Sequence, residues 1–276
     1  MTSHHDEPFR LQETLANALR DLPSAIELRA FGSLAYGIHD EYSDVDLELI
    51  TADSETSIAA RHAIIERAAP IWIEWRIHPS HSGWAATILF TDLSPYRRLD
   101  LGITPIGSAA SIDALNAQTV LWTQEPAPPI PKFGPSPVYA PAAGTPEHAM
   151  LEQLLSATRY VKARKRGQIL TAYRFVSALA TTIFATLEAE RTGDIGSLWR
   201  KPSTSSFLAL DRHLPANQRH DLLSLLDFST PERMDAAVPE LLRHNLALHD
   251  ALPGVSAFPP DIAARLIAFI EDELHP

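Results

Sequence analysis

The sequence predicts an α+β chain in two parts: a small mixed-sheet domain followed by an all-α helical bundle. Three observations carry this. Short runs of alternating polarity fill the first half. A proline-dense stretch interrupts the chain near its middle. Long segments with helical apolar period follow. A length of 276 residues suits one large domain or two modest ones. The boundaries fall at 1–124 for the α/β part, 125–146 for a Pro-rich linker and 147–276 for the helical part.

Residues 8–21 place Leu11, Leu15, Ala18 and Leu19 at helical spacing. Ala25–Phe31 then reads as a short strand ending at Gly32. Val45–Thr51 alternates: Val45, Leu47 and Leu49 face one way, Asp44, Asp46 and Glu48 the other. A helix capped by Ser54 follows. Further strands are predicted at Ile71–His78, Trp84–Asp92 and Arg97–Thr104, then a short helix near Ser111–Ala117 and a strand at Thr119–Thr123. Glu125–Pro146 holds eight prolines, which excludes a central strand or a helix interior. Val138 and Tyr139 predict that part of it packs. Thr145 as cap, Pro146 at the first helical position and Gly167 just past the end frame a long helix with its stripe at Met150, Leu151, Leu154, Leu155, Thr158 and Val161. The next helix, from Gln168 to Gly193, is apolar over much of its girth and is expected to be central to the bundle. Shorter helices are expected at about 204–213, 216–227, 231–249 and 259–274.

Composition narrows the function. There are no cysteines, which excludes disulfides, thiolate metal sites and a Cys nucleophile. No run of 18 consecutive apolar residues occurs, so no membrane partner is expected. The start, "MTSHHDEPFR", has no apolar core of a secretory signal, and His4 and His5 look like a disordered start. A cytoplasmic location is the expectation. The formal net charge of −11 makes long nucleic acid a poor partner, because proteins that coat phosphate backbones are basic over the binding face. The same charge would draw a cationic small molecule, or would simply keep the chain soluble.

The segment "GSLAYGIHDEYSDVDLELI" carries the chemistry. Two Asp residues at i and i+2 of a strand put both carboxylates on one face of a sheet. Asp44 and Asp46 have this spacing. Phosphoryl chemistry needs Mg²⁺, a hard ion that takes one or two carboxylates plus phosphate oxygens. A third carboxylate, Asp100, comes from "RRLDLGIT"; it would complete a two-ion site and serve as base toward an incoming hydroxyl. Gly32 lets backbone approach a phosphate, and the Ser33 hydroxyl can bond its oxygens. Plainer readings stand beside these. Ser33 could cap a helix. Asp44 could be a turn residue. Asp100 could pair with Arg97 or Arg98. Glu48 reads as solvated or Arg-paired rather than as a ligand, Glu74 as a salt-bridge partner rather than a binder of a cationic acceptor, and His39 and Asp40 as loop residues.

Gly-Ser, ten residues, Asp-x-Asp and a later strand Asp resemble the signature of the polymerase-β-type nucleotidyltransferase superfamily. Gly37 and Ser43 sit where that pattern commonly has them. The resemblance covers about Ala30–Ile50 with Asp100 as the distant member. More weakly, the helical half with its "GSLWRKPS" turn is similar to antibiotic nucleotidyltransferases of the lincosamide and aminoglycoside types. The resemblance implies metal and catalytic roles for Asp44, Asp46 and Asp100, phosphate contacts from Gly32, Ser33 and Ser43, and two Mg²⁺ ions with ATP or another NTP as co-substrate. The reaction it implies moves an NMP, AMP first, to a hydroxyl of a small molecule such as an antibiotic. Transfer to a protein or an RNA end, as in toxin–antitoxin relatives, is the alternative. A non-catalytic nucleotide-binding module is a third reading, which three intact carboxylates oppose.

Five of the 23 Lys and Arg residues crowd between Arg159 and Arg166. Arg159, Lys162 and Arg166 share one helical face, which could close over the triphosphate. Basic residues also favour the last turn of a helix for its dipole alone. Glu147 and Glu152 are alternative bases from the second domain. Trp72, Trp75 and Trp84 are read as mostly core, with base stacking or an acceptor pocket as the other reading. The twelve His residues show no metal-ligand spacing. A homodimer whose second domains lend residues to each other's sites is compatible with all of this.

Overall fold

The computed structural model describes residues 7–77, 83–107, 118–125 and 140–275. It divides into two compact units, Met1–Pro141 and Ala142–Pro276. The division falls inside the proline-dense stretch. The helix expected near Ser111–Ala117, the packing expected of Val138 and Tyr139, and His4 and His5 lie outside the described residues.

The first unit runs α1 (Glu7–Leu19), β1 (Ala25–Phe31), α2 (Gly32–Ala35), β2 (Val45–Thr51), α3 (Ser54–Ala68), β3 (Ile71–Ile77), β4 (Trp84–Phe90), β5 (Leu99–Pro105) and β6 (Thr119–Thr123). The strands form one sheet in the order β3-β4-β5-β2-β1-β6. Among the described residues only β2 and β5 pair in parallel and every other pairing is antiparallel, so the sheet is mixed as predicted. One face is covered. Leu11, Leu15 and Leu19 of α1 and Ile64 and Ile65 of α3 join Leu28, Leu47, Leu49, Leu101 and Ile103 in a buried core. Strand period two then sends Asp46, Glu48 and Asp100 to the opposite face. Trp122 belongs to the core as well and donates its indole N–H to the Ala16 carbonyl at 2.8 Å.

Two local expectations are corrected. The cap of α3 is Asp53, not Ser54: its carboxylate accepts the Thr56 N–H at 3.2 Å, and Ser54 is already helical. Strand β5 starts at Leu99, not Arg97, because Ser94–Arg97 closes a turn with the Arg97 N–H on the Ser94 carbonyl at 2.7 Å. Arg97 and Arg98 therefore sit at the mouth of the strand rather than along it.

The second unit is helical: α4 (Pro146–Lys165), α5 (Ile169–Thr192), a 3₁₀ helix (Ile195–Trp199), α6 (Thr204–His213), α7 (Ala216–Leu225), α8 (Pro231–Ala251) and α9 (Pro260–Leu274). Thr145 caps α4, accepting the His148 N–H at 3.3 Å, with Pro146 just inside. By length and composition α5 is apolar enough to cross a membrane, alone in this among the described residues. Here it is the central helix of the bundle, packed against α4, α8, α6 and the 3₁₀ helix, with Ala172, Val176, Leu179 and Ile183 buried.

Two polar clusters fasten the bundle. Asn245 on α8 links to Gln153 on α4, and its side-chain oxygen accepts the Thr186 hydroxyl of α5 at 2.8 Å. Asp235 on α8 accepts the Tyr160 hydroxyl at 2.6 Å and both arms of the Arg164 guanidinium at 2.7 Å. Burial and the Asp235 carboxylate push the Tyr160 phenol well above its ordinary value. Asp235→Ala strands a partly buried guanidinium and a buried hydroxyl at once. It should lower the unfolding free energy by about 2–3 kcal/mol, read from the urea midpoint at unchanged slope.

Candidate active site

The site begins where β1 ends. Gly32 has φ +68° and opens the single turn α2. A Cβ at Gly32 would lie 2.2 Å from Asp46 Oδ2, so glycine here lets the backbone reach the carboxylate. The position capping this turn is Phe31, so Ser33 is not a cap. Ser33 is half-buried beside Gly32 at the start of the turn. The Ile38 N–H returns to the Ser33 carbonyl at 3.0 Å and closes the loop. The chain then crosses to β2 through a second turn, in which the Ser43 N–H bonds the Asp40 carbonyl at 3.1 Å.

Ser43, the expected nucleotide contact, is engaged within its own loop. It is fully buried, and its hydroxyl donates to Asp40 Oδ1 and accepts the Asp40 N–H, both at 3.0 Å. It fixes the loop that delivers Asp44. Arg97, also buried, binds the same loop through the Glu41 carbonyl.

The parallel register sets Asp46 directly beside Asp100. Asp44 precedes β2 by one residue and Arg98 precedes β5 by one. Their backbones are joined nearby by the Val45 N–H on the Arg98 carbonyl at 3.0 Å. The three predicted carboxylates are thus assembled at one end of two neighbouring strands. The guanidinium of Arg98 stands against them: Nη2 is 2.8 Å from Asp44 Oδ2 and 3.6 Å from Asp100 Oδ2. Burial pulls the Arg98 pKa down. Asp100, Asp44 and Asp46 outweigh that and hold it above the usual arginine value. Asp100 Oδ1 accepts the hydroxyl of Thr87 from β4, its partner in register.

The donor set suits a hard divalent cation in kind: carboxylates on adjacent strands, with a glycine clearing the approach to one of them. Among the described residues no three His, Asp or Glu side chains are gathered tightly enough to close around an ion as they stand. The Asp44 and Asp100 carboxylates face Arg98, and a bound cation would share them with it.

Other expectations resolve differently. Glu48 is buried, not solvated: Thr104 donates its hydroxyl to it, and a Cβ at Gly102 would fall 1.9 Å from Glu48 Oε2. Glu74 lies on the covered face in an ion pair with Arg61 of α3, the structural reading. Trp75 and Trp84 are buried, and Arg61 sits over the Trp84 ring at 4.1 Å. Trp72 is half-buried. His39 stacks on Phe9 in the loop, 6.4 Å between ring centroids.

Arg159, Lys162, Glu147 and Glu152 lie on α4 of the second unit, and Arg166 is the residue that ends it, with its N–H on the Lys162 carbonyl at 3.1 Å. Helix period places the three basic residues on one face. That face is less open than expected, because Lys162 is buried. The other two basic residues of the cluster are structural: Arg164 holds Asp235, and Lys165 pairs with Glu273 of α9 at 3.0 Å.

Thr87, Gly102 and the centring of Arg98 were not legible in the sequence. Each depends on β4–β5 or β2–β5 register, which no local pattern states. Residues 13–73 match the family model of the nucleotidyltransferase domain. No curated protein sequence matches the chain. Among solved structures, a STING-associated CdnE c-di-GMP synthase from Capnocytophaga granulosa is similar at 14 % identity, over 98 % of this chain and 79 % of that one, with a TM-score of 0.26. A TM-score of that size leaves the site to be argued from its own residues.

Proposed function

We propose that this chain, a nucleotidyltransferase by its N-terminal domain, moves an NMP, AMP first, from an NTP to a hydroxyl of a small molecule, with antibiotics the first class to test. The observation that carries the reading is the register of Asp46 against Asp100, with Asp44 alongside and the Gly32 turn opening onto Asp46.

Asp44, Asp46 and Asp100 would hold the divalent cation, whose chemistry is to neutralise triphosphate oxygens and align the displacement. Gly32 and Ser33 offer backbone N–H and hydroxyl groups to the phosphates. Thr87 fixes Asp100 Oδ1 and Arg98 faces Oδ2, and Asp100 is the carboxylate proposed to take the proton of the acceptor hydroxyl. The resemblance alone offers Glu147 or Glu152 as the alternative base and Arg159, Lys162 and Arg166 as further phosphate contacts. A net charge of −11 supports a small, cationic acceptor over RNA.

The test is incubation with Mg²⁺, labelled ATP and separate panels of aminoglycosides, lincosamides, total protein and tRNA. Label on a drug, with pyrophosphate released, is expected. Label on protein or tRNA transfers the reading to that acceptor. NTP binding with no pyrophosphate release under any condition overturns catalysis in favour of a nucleotide-binding module.

A further inference from the structure

Arg98 poses a problem that the catalytic reading does not absorb. Its side chain is 5 % exposed. Only Nη2 is engaged, with Asp44 and Asp100. Among the described residues, Nε and Nη1 are buried with no hydrogen-bond partner. Arginine has five N–H donors in a rigid fork, and leaving buried ones unmade is costly. A guanidinium held for structure alone would normally be saturated. This one is spent on charge: it is the cation set against three carboxylates, and it lies on the same atoms a divalent ion would need.

Two cations cannot share those oxygens without opposing each other. The ion alone therefore competes with Arg98 for Asp44 and Asp100. An ion that arrives with a triphosphate brings several negative charges, which offset the guanidinium.

We propose that Arg98 is a positioning residue, a resident counter-cation that holds the three carboxylates ready and makes tight divalent-ion binding conditional on the nucleotide triphosphate. The inference rests on the reading that these carboxylates are the ion's ligands.

The test titrates Mn²⁺ into the full chain, followed by electron paramagnetic resonance, with and without a non-hydrolysable ATP analogue. Wild type, Arg98→Met and Arg98→Lys are compared. Without nucleotide, Arg98→Met should bind Mn²⁺ at least about tenfold more tightly than wild type, since a like charge has gone. Arg98→Lys, which keeps the charge, should stay nearer to wild type. The analogue should raise wild-type Mn²⁺ affinity by a larger factor than it raises that of Arg98→Met. Equal or weaker Mn²⁺ binding by Arg98→Met overturns the proposal, because a merely structural arginine would loosen the ligands on removal. Should Arg98→Met fold only in the presence of Mn²⁺, the ion has taken the guanidinium's place and the proposal stands. Should it fold in neither condition, the ion cannot replace it and the proposal falls. The functional reading fails separately: tighter Mn²⁺ binding without transfer to any acceptor removes the proposed reaction and leaves the role of Arg98, whereas transfer with unchanged Mn²⁺ affinity does the reverse.

Discussion

Asp46→Asn removes nucleotidyl transfer by about a thousandfold or more while leaving the fold at wild-type stability. The size follows from what the carboxylate is asked to do. Holding a divalent cation against transferring phosphate is worth several kcal/mol of transition-state charge stabilisation, and about 4 kcal/mol is a factor of a thousand. The neutral stability follows from the charge count at the site. Three carboxylates act on one guanidinium, so neutralising one of them relieves repulsion among the carboxylates. Asn keeps the shape that fits beneath Gly32. Asp44→Asn should behave otherwise. It loses transfer and also stability, because Asp44 makes the 2.8 Å contact with buried Arg98. Rates of pyrophosphate release and urea midpoints on the two variants check this. Retention of a tenth or more of wild-type transfer by Asp46→Asn would remove Asp46 from the site.

The contrast between those two aspartates marks what a sequence can say. Side-chain direction along a strand is a local property of period two. That is why Asp46 and Asp100 were readable as facing away from Leu47 and Leu101, which are buried in the core. The strand limits of β1, β2 and β6 were equally readable, because apolar alternation stops at turn residues on both sides. Partnership is not local. Nothing near Thr87 announces that β4 will set it opposite Asp100, and nothing near Gly102 announces that its missing side chain makes room for Glu48. Ser43 is the opposite case. Its position in a familiar motif suggested a ligand contact, but a serine three residues after an aspartate in a tight turn satisfies that turn first. Lys162 shows a third limit. Helix period gives the face a side chain lies on, but burial depends on what packs against that face.

Gly32→Ala should be the most damaging change of a residue with no chemistry of its own, and Gly37→Ala measures why. Both glycines have φ near +67°, a conformation that costs an L-residue about 1 kcal/mol. At Gly37 a Cβ would meet nothing within 4 Å, so its cost is that strain alone. At Gly32 the same Cβ would meet Asp46 Oδ2 at 2.2 Å and Cγ at 3.0 Å. A terminal-atom shift cannot clear both contacts, so the whole carboxyl group must move from its place. Misplacing a reacting group by about 1 Å costs roughly a hundredfold in rate. Gly32→Ala should therefore lose at least that factor in transfer and about 2–3 kcal/mol in stability, the strain plus the steric conflict. Gly37→Ala should lose about 1 kcal/mol and keep most of its activity. The steric share can be isolated. In an Asp46→Ala background the carboxyl group is gone, so adding Gly32→Ala should cost only the backbone strain, a saving of about 1–2 kcal/mol on the double-mutant cycle. If the cycle is additive and Gly32→Ala behaves like Gly37→Ala, the glycine is only a turn residue. The approach of backbone to carboxylate would then not be what the first half of the motif provides.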